Sequence, residues 1–539
     1  MTIAPWPEWL PDQADFGSAG SPVIKNVLPL TPKSYGPMSS AVPWSSNTLT
    51  EICQGAYAIK APDGQAHIFA GDRQKLYLVP PSTNTIQDAS RTAGGAYATS
   101  PIPLGGGHWS MTSFGNRVIA TNGVDPIQTL LLGEANFEDL QPGDPGDPEA
   151  EPPVAPTAAA PIAKYVATVK DFLFVGNTID PVDGPVPYRV WWSAIANPQS
   201  WPTPGSIEAQ QVMSDYQDLQ QTDLGNVTQL VSGFAPGSDV VIFCERGIYT
   251  ASFTGPPLLF NFRVAQGASG TMSPRSVVQS FARDNSGALR PVVYALGGDG
   301  FFAFDGSTSY PVGAQKFDRL FWRELDDTYL SYVQGINDPR THSVIWGFAT
   351  PGSQGLISRL LVYNWELARA SYIELEPAQY LEWLTVAMYG TSYNLDNIPE
   401  SMGNLDTLSP SFDDPFWTGN MESRLSLFDR DHRLSIGGGP ALAVTLETAE
   451  MQPNEGRRAW VRLTRPLNDG GTATIAVGHR ERQADPVTWE APVSINQLGE
   501  CPQRATGRYL RFRMQMPAGQ AFSHLQGIDM AIIPEGQRR

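Results

Sequence analysis

Residues Pro291–Phe304 read PVVYALGGDGFFAF. A five-residue apolar run (PVVYA) and a second one (GFFAF) flank a turn rich in glycine. Glycine supplies the positive φ that a tight turn needs, so the stretch predicts a β-hairpin. The same pattern recurs outward along the chain. Its first strand reappears as His67–Gly71 (HIFAG), Arg117–Thr121 (RVIAT), Phe172–Gly176 (FLFVG), Val240–Cys244 (VVIFC) and Ser343–Gly347 (SVIWG). The partner strands are KLYLV from Lys75, IQTLL from Ile127, YRVWW from Tyr188, GIYTA from Gly247 and LLVYN from Leu360. The period is about 50 residues, the length of a four-stranded propeller blade.

Further extended segments complete the repeat. GAYAI (Gly55), KYVAT (Lys164), TQLVS (Thr228) and SVVQS (Ser276) precede the pairs; TIQDA (Thr85), FNFRV (Phe260) and SYIEL (Ser371) follow them. Four strands per repeat predict an all-β fold, a β-propeller of about six blades of four antiparallel strands. A run of independent antiparallel sandwiches would produce similar strands. Ile119, Phe174, Ile242, Val293 and Ile345 are expected at inner positions of one continuous core.

The domain reading is an N-terminal extended arm or closing strands over 1–50, the propeller over 51–375, an irregular connector over 376–420 and an additional C-terminal β-sandwich domain over 421–539. Within it, Pro142–Pro161 is Pro/Ala-rich and acidic, and is expected to be an exposed loop. Thr203–Gly225 reads as an inserted loop or short helix, and Gln379–Met388 (QYLEWLTVAM) as a helix. In RYLRFRMQM, alternation puts Leu510, Phe512, Met514 and Met516 on one face and Arg511, Arg513 and Gln515 on the other.

Of 539 residues, 41% are hydrophobic, enough for a large core, and 51 Gly with 47 Pro favour turns over long helices. The formal charge of −18 repels phosphate and argues against sequence-specific nucleic-acid binding. Cys53, Cys244 and Cys501 are odd in number and far apart, so a disulfide framework is not expected. No signal peptide and no apolar run of membrane-spanning length is visible.

Motifs for catalysis are missing: neither a phosphate loop, nor GxGxxG after a strand, HExxH or GxSxG occurs. His67, His108, His342, His432, His479 and His524 never fall at metal-ligand spacing. Asp299, Asp305, Asp406, Asp413 and Asp414 are carboxylates that a propeller glycosidase could use, but they read better as turn residues, and the repeated aspartate box of sialidases is missing. Asp429 with Arg430–Arg433 reads as a solvated hairpin end with ion pairs, and Asn226–Thr228 as a glycosylation sequon without consequence. Trp191–Trp192 and Phe301–Phe302 suggest a sugar-stacking platform; strand geometry instead sends one member of each pair to the core and one to a packing surface. Neither a catalytic residue, a cofactor nor a metal is expected.

Seven segments, in order along most of the chain, carry a family resemblance. They are WLPDQADFGSAGSPVIKNVLPLTPKSYGPM (Trp9–Met38), FGNRVIATNGVDPIQ (Phe114–Gln128), VWWSAIANPQSWPT (Val190–Thr203), FCERGIYTASFTGPPLLFNF (Phe243–Phe262), GGDGFFAFDGSTSYPVG (Gly297–Gly313), LLVYNWELARAS (Leu360–Ser371) and LFDRDHRLSIGGGPALAVTLETAE (Leu427–Glu450). Together they resemble the tail nozzle, or packaged-DNA stabilisation, proteins of short-tailed bacteriophages. The resemblance implies a non-enzymatic virion protein, assembled in the host cytoplasm into a homohexameric ring below the adaptor. It further implies contacts with the adaptor and with tail spikes or fibres, and double-stranded DNA passing through the ring during ejection. The alternatives are a carbohydrate-binding or glycoside-processing propeller, or a spike-attachment hub.

Overall fold

The computed structural model describes residues 2–60, 66–80, 84–100, 107–140, 159–181, 183–219, 223–235, 238–284, 286–389, 422–454 and 456–534. Six segments each fold into four antiparallel strands that pair in chain order: 55–88, 110–139, 162–218, 227–264, 278–311 and 334–374. A seventh sheet pairs Leu381–Tyr389, Glu422–Asp429 and Leu434–Ala441 with Ser39–Pro43 from near the N-terminus. The first strands of successive sheets lie beside one another, except that Val227–Ala235 of the fourth meets Leu289–Gly297 and the Pro274–Ser276 turn of the fifth, and the first strand of the seventh lies against Gly55–Lys60 of the first. The sheets therefore close a ring around an axis: a seven-bladed β-propeller, closed by one strand borrowed from the other end of the chain.

The expected hairpins are present, and their central residues are buried: Ile119, Phe174, Ile242 and Val293 are 0% exposed and Ile345 1%. They do not share one core. Each gap between neighbouring blades is filled by its own apolar cluster. Ile119 packs between blades 2 and 3, Phe174 and Ile242 between blades 3 and 4, Val293 between blades 4 and 5, and Ile345 between blades 6 and 7. A blade is covered on both faces, so both phases of its alternation are apolar. This corrects the reading of the aromatic pairs. Trp191 enters the 2–3 wedge and Trp192 the 3–4 wedge; Phe302 enters the 4–5 wedge and Phe301 the 5–6 side. All four are buried, each contributing on the order of 2–3 kcal/mol by area alone.

The count of about six blades becomes seven, and the connector over 376–420 and the helix at Gln379–Met388 are corrected with it. Pro377–Gln379 form a single 3-10 turn, and Leu381–Tyr389 is the innermost strand of blade 7. Leu384 enters the 6–7 wedge, whereas Trp383 and Ala387 face the 7–1 wedge. Apolar residues on both faces mimic helical spacing. A register shift between Leu381 and Trp383 blurs the strand period further.

Residues 422–441, expected to open the C-terminal unit, thus belong to blade 7. The strands that follow form two sheets. One continues blade 6 outward: Arg369–Glu374 pairs in parallel with Ile24–Lys25, which leads on to Val444–Glu447, Tyr509–Met516 and Thr474–Arg480. The other holds Val27–Thr31, Ser34–Pro37, Leu525–Pro534, Ala459–Asn468 and Cys501–Gly507, with Thr2–Pro5 added beside Leu525–Pro534. Both share one cluster with blades 5 and 6, in which Leu446, Ile475, Phe512 and Met530 meet Val292 and Trp346. The alternation at Leu510, Phe512, Met514 and Met516 holds, all buried, while Arg511 and Arg513 turn the other way onto Glu447. Arg369 of blade 6 ties the N-terminal arm down through the carbonyls of Thr31, Trp6 and Pro7.

The stretch Thr203–Gly225 lies mostly within blade 3: Ile207–Val212 is a short helix capped by Ser206, and Asp215–Asp218 supplies the blade's outer strand. Pro142–Pro161 falls almost wholly outside the described residues, as do Asp406, Asp413 and Asp414. The three cysteines are buried and free. No helix is long and apolar enough to cross a membrane among the described residues.

Candidate functional site

A propeller gathers the leading ends of its innermost strands at one mouth of the central channel. Here blades 2 to 6 bring His108, Lys164, Tyr165, Asn226, Thr228, Arg275 and Ser331 to that mouth, around a cavity of about 360 Å³. Asn177 and Glu245, from strands further out, complete the polar lining.

Arg275 is its centre. It lies on the Pro274–Ser276 turn that leads into blade 5. Neighbouring blades hold that turn: Gln229 donates to the Pro274 carbonyl, Trp346 Nε1 to the Ser276 carbonyl, and Ser273 Oγ to the Val333 carbonyl. From there the guanidinium crosses the channel. Its Nη2 donates to the Gly107 carbonyl at 2.7 Å, and its carbon lies 4.5 Å from the Tyr332 ring centre and 5.0 Å from that of Trp383. One side chain thereby spans from blade 5 to blades 2, 6 and 7. No carboxylate pairs with it among the described residues, and burial brings it down to about 10. Cation–π contact partly offsets the lost hydration.

The other groups are also placed by local geometry. Glu245 Oε1 accepts from Asn226 Nδ2 at 2.9 Å, and Gly225, at φ +82°, lets the carboxylate approach. A Cβ on Gly225 would stand 2.4 Å from Glu245 Oε2. Asn177 sits at a bulge with φ 57° and donates to the Val227 carbonyl at 3.0 Å. Lys164 is exposed at the rim, its stem over Gly123. The His108 and Tyr165 rings meet at 5.4 Å below it.

Most residues singled out in the sequence lie elsewhere. Asp305 caps its own turn, accepting from the Ser307 and Thr308 amides at 2.9 and 2.8 Å, and Asp299 is exposed in a hairpin turn. In the 429–433 cluster, Asp429 accepts from the Asp431 and Arg433 amides, as a turn residue does. His432 instead reaches into the blade 7–1 seam, where its Nδ1 meets Glu382 Oε1 at 2.5 Å, and Glu382 also accepts from the Cys53 amide. Hydrogen bonding to Glu382 raises His432, and Glu382 is 1% exposed. Among the described residues no group of three His, Cys, Asp or Glu side chains is arranged to hold a metal.

Of the channel-mouth groups, only His108, Asn226 and Thr228 stand out in the sequence, and for other chemistry. The overlooked signal is positional: apart from Asn177 and Glu245, the polar lining residues cluster just ahead of, or at the start of, the first strands of blades 2 to 6.

No family model and no curated protein matches the chain. Among solved structures, a computationally designed Ika8 protein aligns over 73% of this chain and 98% of its own at 11% identity, TM-score 0.35. A streptogramin B lyase aligns over 74% and 96% at 10% identity, TM-score 0.34. BamB from Moraxella catarrhalis aligns over 76% and 92% at 11% identity, TM-score 0.34. Likenesses this loose bring no activity or ligand to the chain.

Proposed function

We propose that the protein is a structural, ring-forming component of a short bacteriophage tail, the nozzle around the DNA exit path. The observation that carries this reading is where the resembling segments fall. Trp9–Met38 supplies strands to both C-terminal sheets, and Leu427–Glu450 runs from blade 7 into one of them. They are the parts that weld propeller and C-terminal strands into one body. We read those two sheets as a β-sandwich mounted on blade 6, the part that meets neighbouring copies.

The propeller's own channel is crossed by Arg275 and is far too narrow for a duplex about 20 Å wide. DNA would therefore run along a separate axis enclosed by several copies, in a closed heterologous ring. The acidic balance of −18 fits a conduit that offers DNA no binding minimum. Adaptor and spike contacts, and a virion location, belong to the same proposal. The test is the symmetry of this protein's density in tails imaged by cryo-electron microscopy. A ring of six around the DNA axis is expected; a single copy per particle, or copies off the axis, would favour a spike-attachment hub.

The channel-mouth cavity favours a second reading, a carbohydrate-binding propeller. Its size and its few convergent polar groups suit a small ligand. It holds one carboxylate, Glu245, where glycoside hydrolysis commonly uses two, which supports binding over turnover. A glycan array on the purified protein tests it.

A further inference from the structure

We infer that the channel mouth binds a sugar acid, a polyhydroxylated carboxylate of hexuronate size, with Arg275 and Lys164 holding the carboxylate and Glu245, Asn177 and Asn226 the hydroxyls. The inference deepens the carbohydrate reading and is independent of the ring.

The first observation is charge. The lining carries two permanent cations against one carboxylate, in a chain whose overall charge is −18. A guanidinium held away from water normally sits on a carboxylate, because an unpaired buried charge is unfavourable. Three arginines follow that rule: Arg189 meets Asp180, Asp183 and Asp218, Arg91 meets Asp125 and Asp139, and Arg480 meets Glu450. Buried Arg369 instead donates to three backbone carbonyls, those of Thr31, Trp6 and Pro7, and lies over the Tyr35 ring. Arg275 has neither arrangement. It has one backbone carbonyl and two aromatic rings, and no carboxylate among the described residues. Lys164, exposed at the rim, makes no ion pair among the described residues. An incoming carboxylate would supply the counter-charge that Arg275 lacks and would meet Lys164 at the rim, and Arg presents the planar fork that fits a carboxylate.

The second observation is the polar complement. A bare anion site needs donors only. This one adds a carboxylate bonded to an amide, Glu245 with Asn226, and the Asn177 amide beside it. Acceptors and donors side by side match vicinal hydroxyls, each of which both donates and accepts. Glu245 would repel a plain anion placed against it, so the carboxylate of the ligand lies on the Arg275 side and its hydroxyls on the Glu245 side. The cavity of about 360 Å³ lies within the size range of small-ligand sites.

The test is titration calorimetry on the full chain with three probes: D-glucuronate, D-glucose and inorganic phosphate. Glucuronate is expected to bind at least tenfold more tightly than either other probe. Lys164→Gln, at the exposed rim, should weaken glucuronate several-fold without changing the melting temperature. Arg275→Lys should weaken it more, and Glu245→Gln should weaken both sugars while leaving phosphate unchanged. Should Arg275→Lys fail to fold, the two other variants still decide. Equal binding of glucose and glucuronate would overturn the inference and leave the carbohydrate reading standing. Binding of neither sugar would overturn both. Phosphate binding as tightly as glucuronate would reduce the site to a plain anion site and overturn the assignment.

Discussion

Blade 4 and blade 7 have the same architecture and opposite origins. Blade 4 is one continuous stretch, Val227–Val264, whose strands pair in the order they are made. Blade 7 takes its first three strands from the region 381–441 and its outermost from Ser39–Pro43. The local blade needs only short loops, whereas the composite blade requires segments from distant parts of the chain to meet. Closing so long a loop is entropically unfavourable and slow, and is offset only when the ring and the C-terminal sheets form together. Local repetition thus makes blades, and long-range pairing makes a closed ring.

The strongest way to break this comparison is to remove residues 1–43. That deletes the fourth strand of blade 7, strands from both C-terminal sheets, and the buried Trp6, Trp9 and Tyr35. The truncated chain should show no cooperative unfolding transition by calorimetry. A melting temperature within a few degrees of the full chain would mean that closure contributes little.

Next is Ile242→Asp in blade 4. Burying an unpaired carboxyl in the 3–4 wedge should destabilise by about 5 kcal/mol, and Leu427→Asp in the 6–7 wedge by a similar amount. Urea denaturation measures both. If Ile242→Asp melts within a degree or two of the parent, its side chain does not face the wedge. A much milder Leu427→Asp would show blade 7 to be loosely packed.

Arg189→Ala comes third. Arg189 is 3% exposed and bridges three carboxylates in blade 3, one of which, Asp180, is nearly buried. Leaving that carboxylate without its cation should destabilise by about 3 kcal/mol, read from urea midpoints. An effect below about 1 kcal/mol would reclassify the cluster as a surface network.

The smallest effect concerns the seam. Glu382 raises His432 above its ordinary 6.5, with Asp429 and Asp431 acting in the same direction, so the folded state favours the protonated ring. That contribution is complete below pH 6.5 and is lost as pH rises through the higher folded value. Melting temperature should fall from pH 6 toward pH 8, and His432→Gln should flatten the decline. An unchanged slope in the variant would assign the pH dependence elsewhere.

What was legible in the sequence follows the same division. Pro291–Phe304 and its relatives marked six blades, because each hairpin is local and its turn chemistry is written beside its strands. Leu381–Tyr389 was misread as helix because a strand apolar on both faces shows no period of two. Ser39–Pro43 carries no sign of its partner, since Ile436 is remote in the chain. The channel mouth was invisible for a related reason: Lys164, Asn226 and Arg275 are each ordinary in their own repeat and become a site only when the ring converges.

The sequence by itself determined the all-β character, the strand pairs, the turns and the residues that must be buried, because those depend on neighbours within a few positions. Only the tertiary structure decided the seventh blade, the division of one expected core into wedges, the joining of blade 6 to the C-terminal strands, and the meeting of Arg275 with Gly107, Tyr332 and Trp383. Those depend on which distant segments come together, and apolar burial, being non-directional, favours closure without naming the partners in advance.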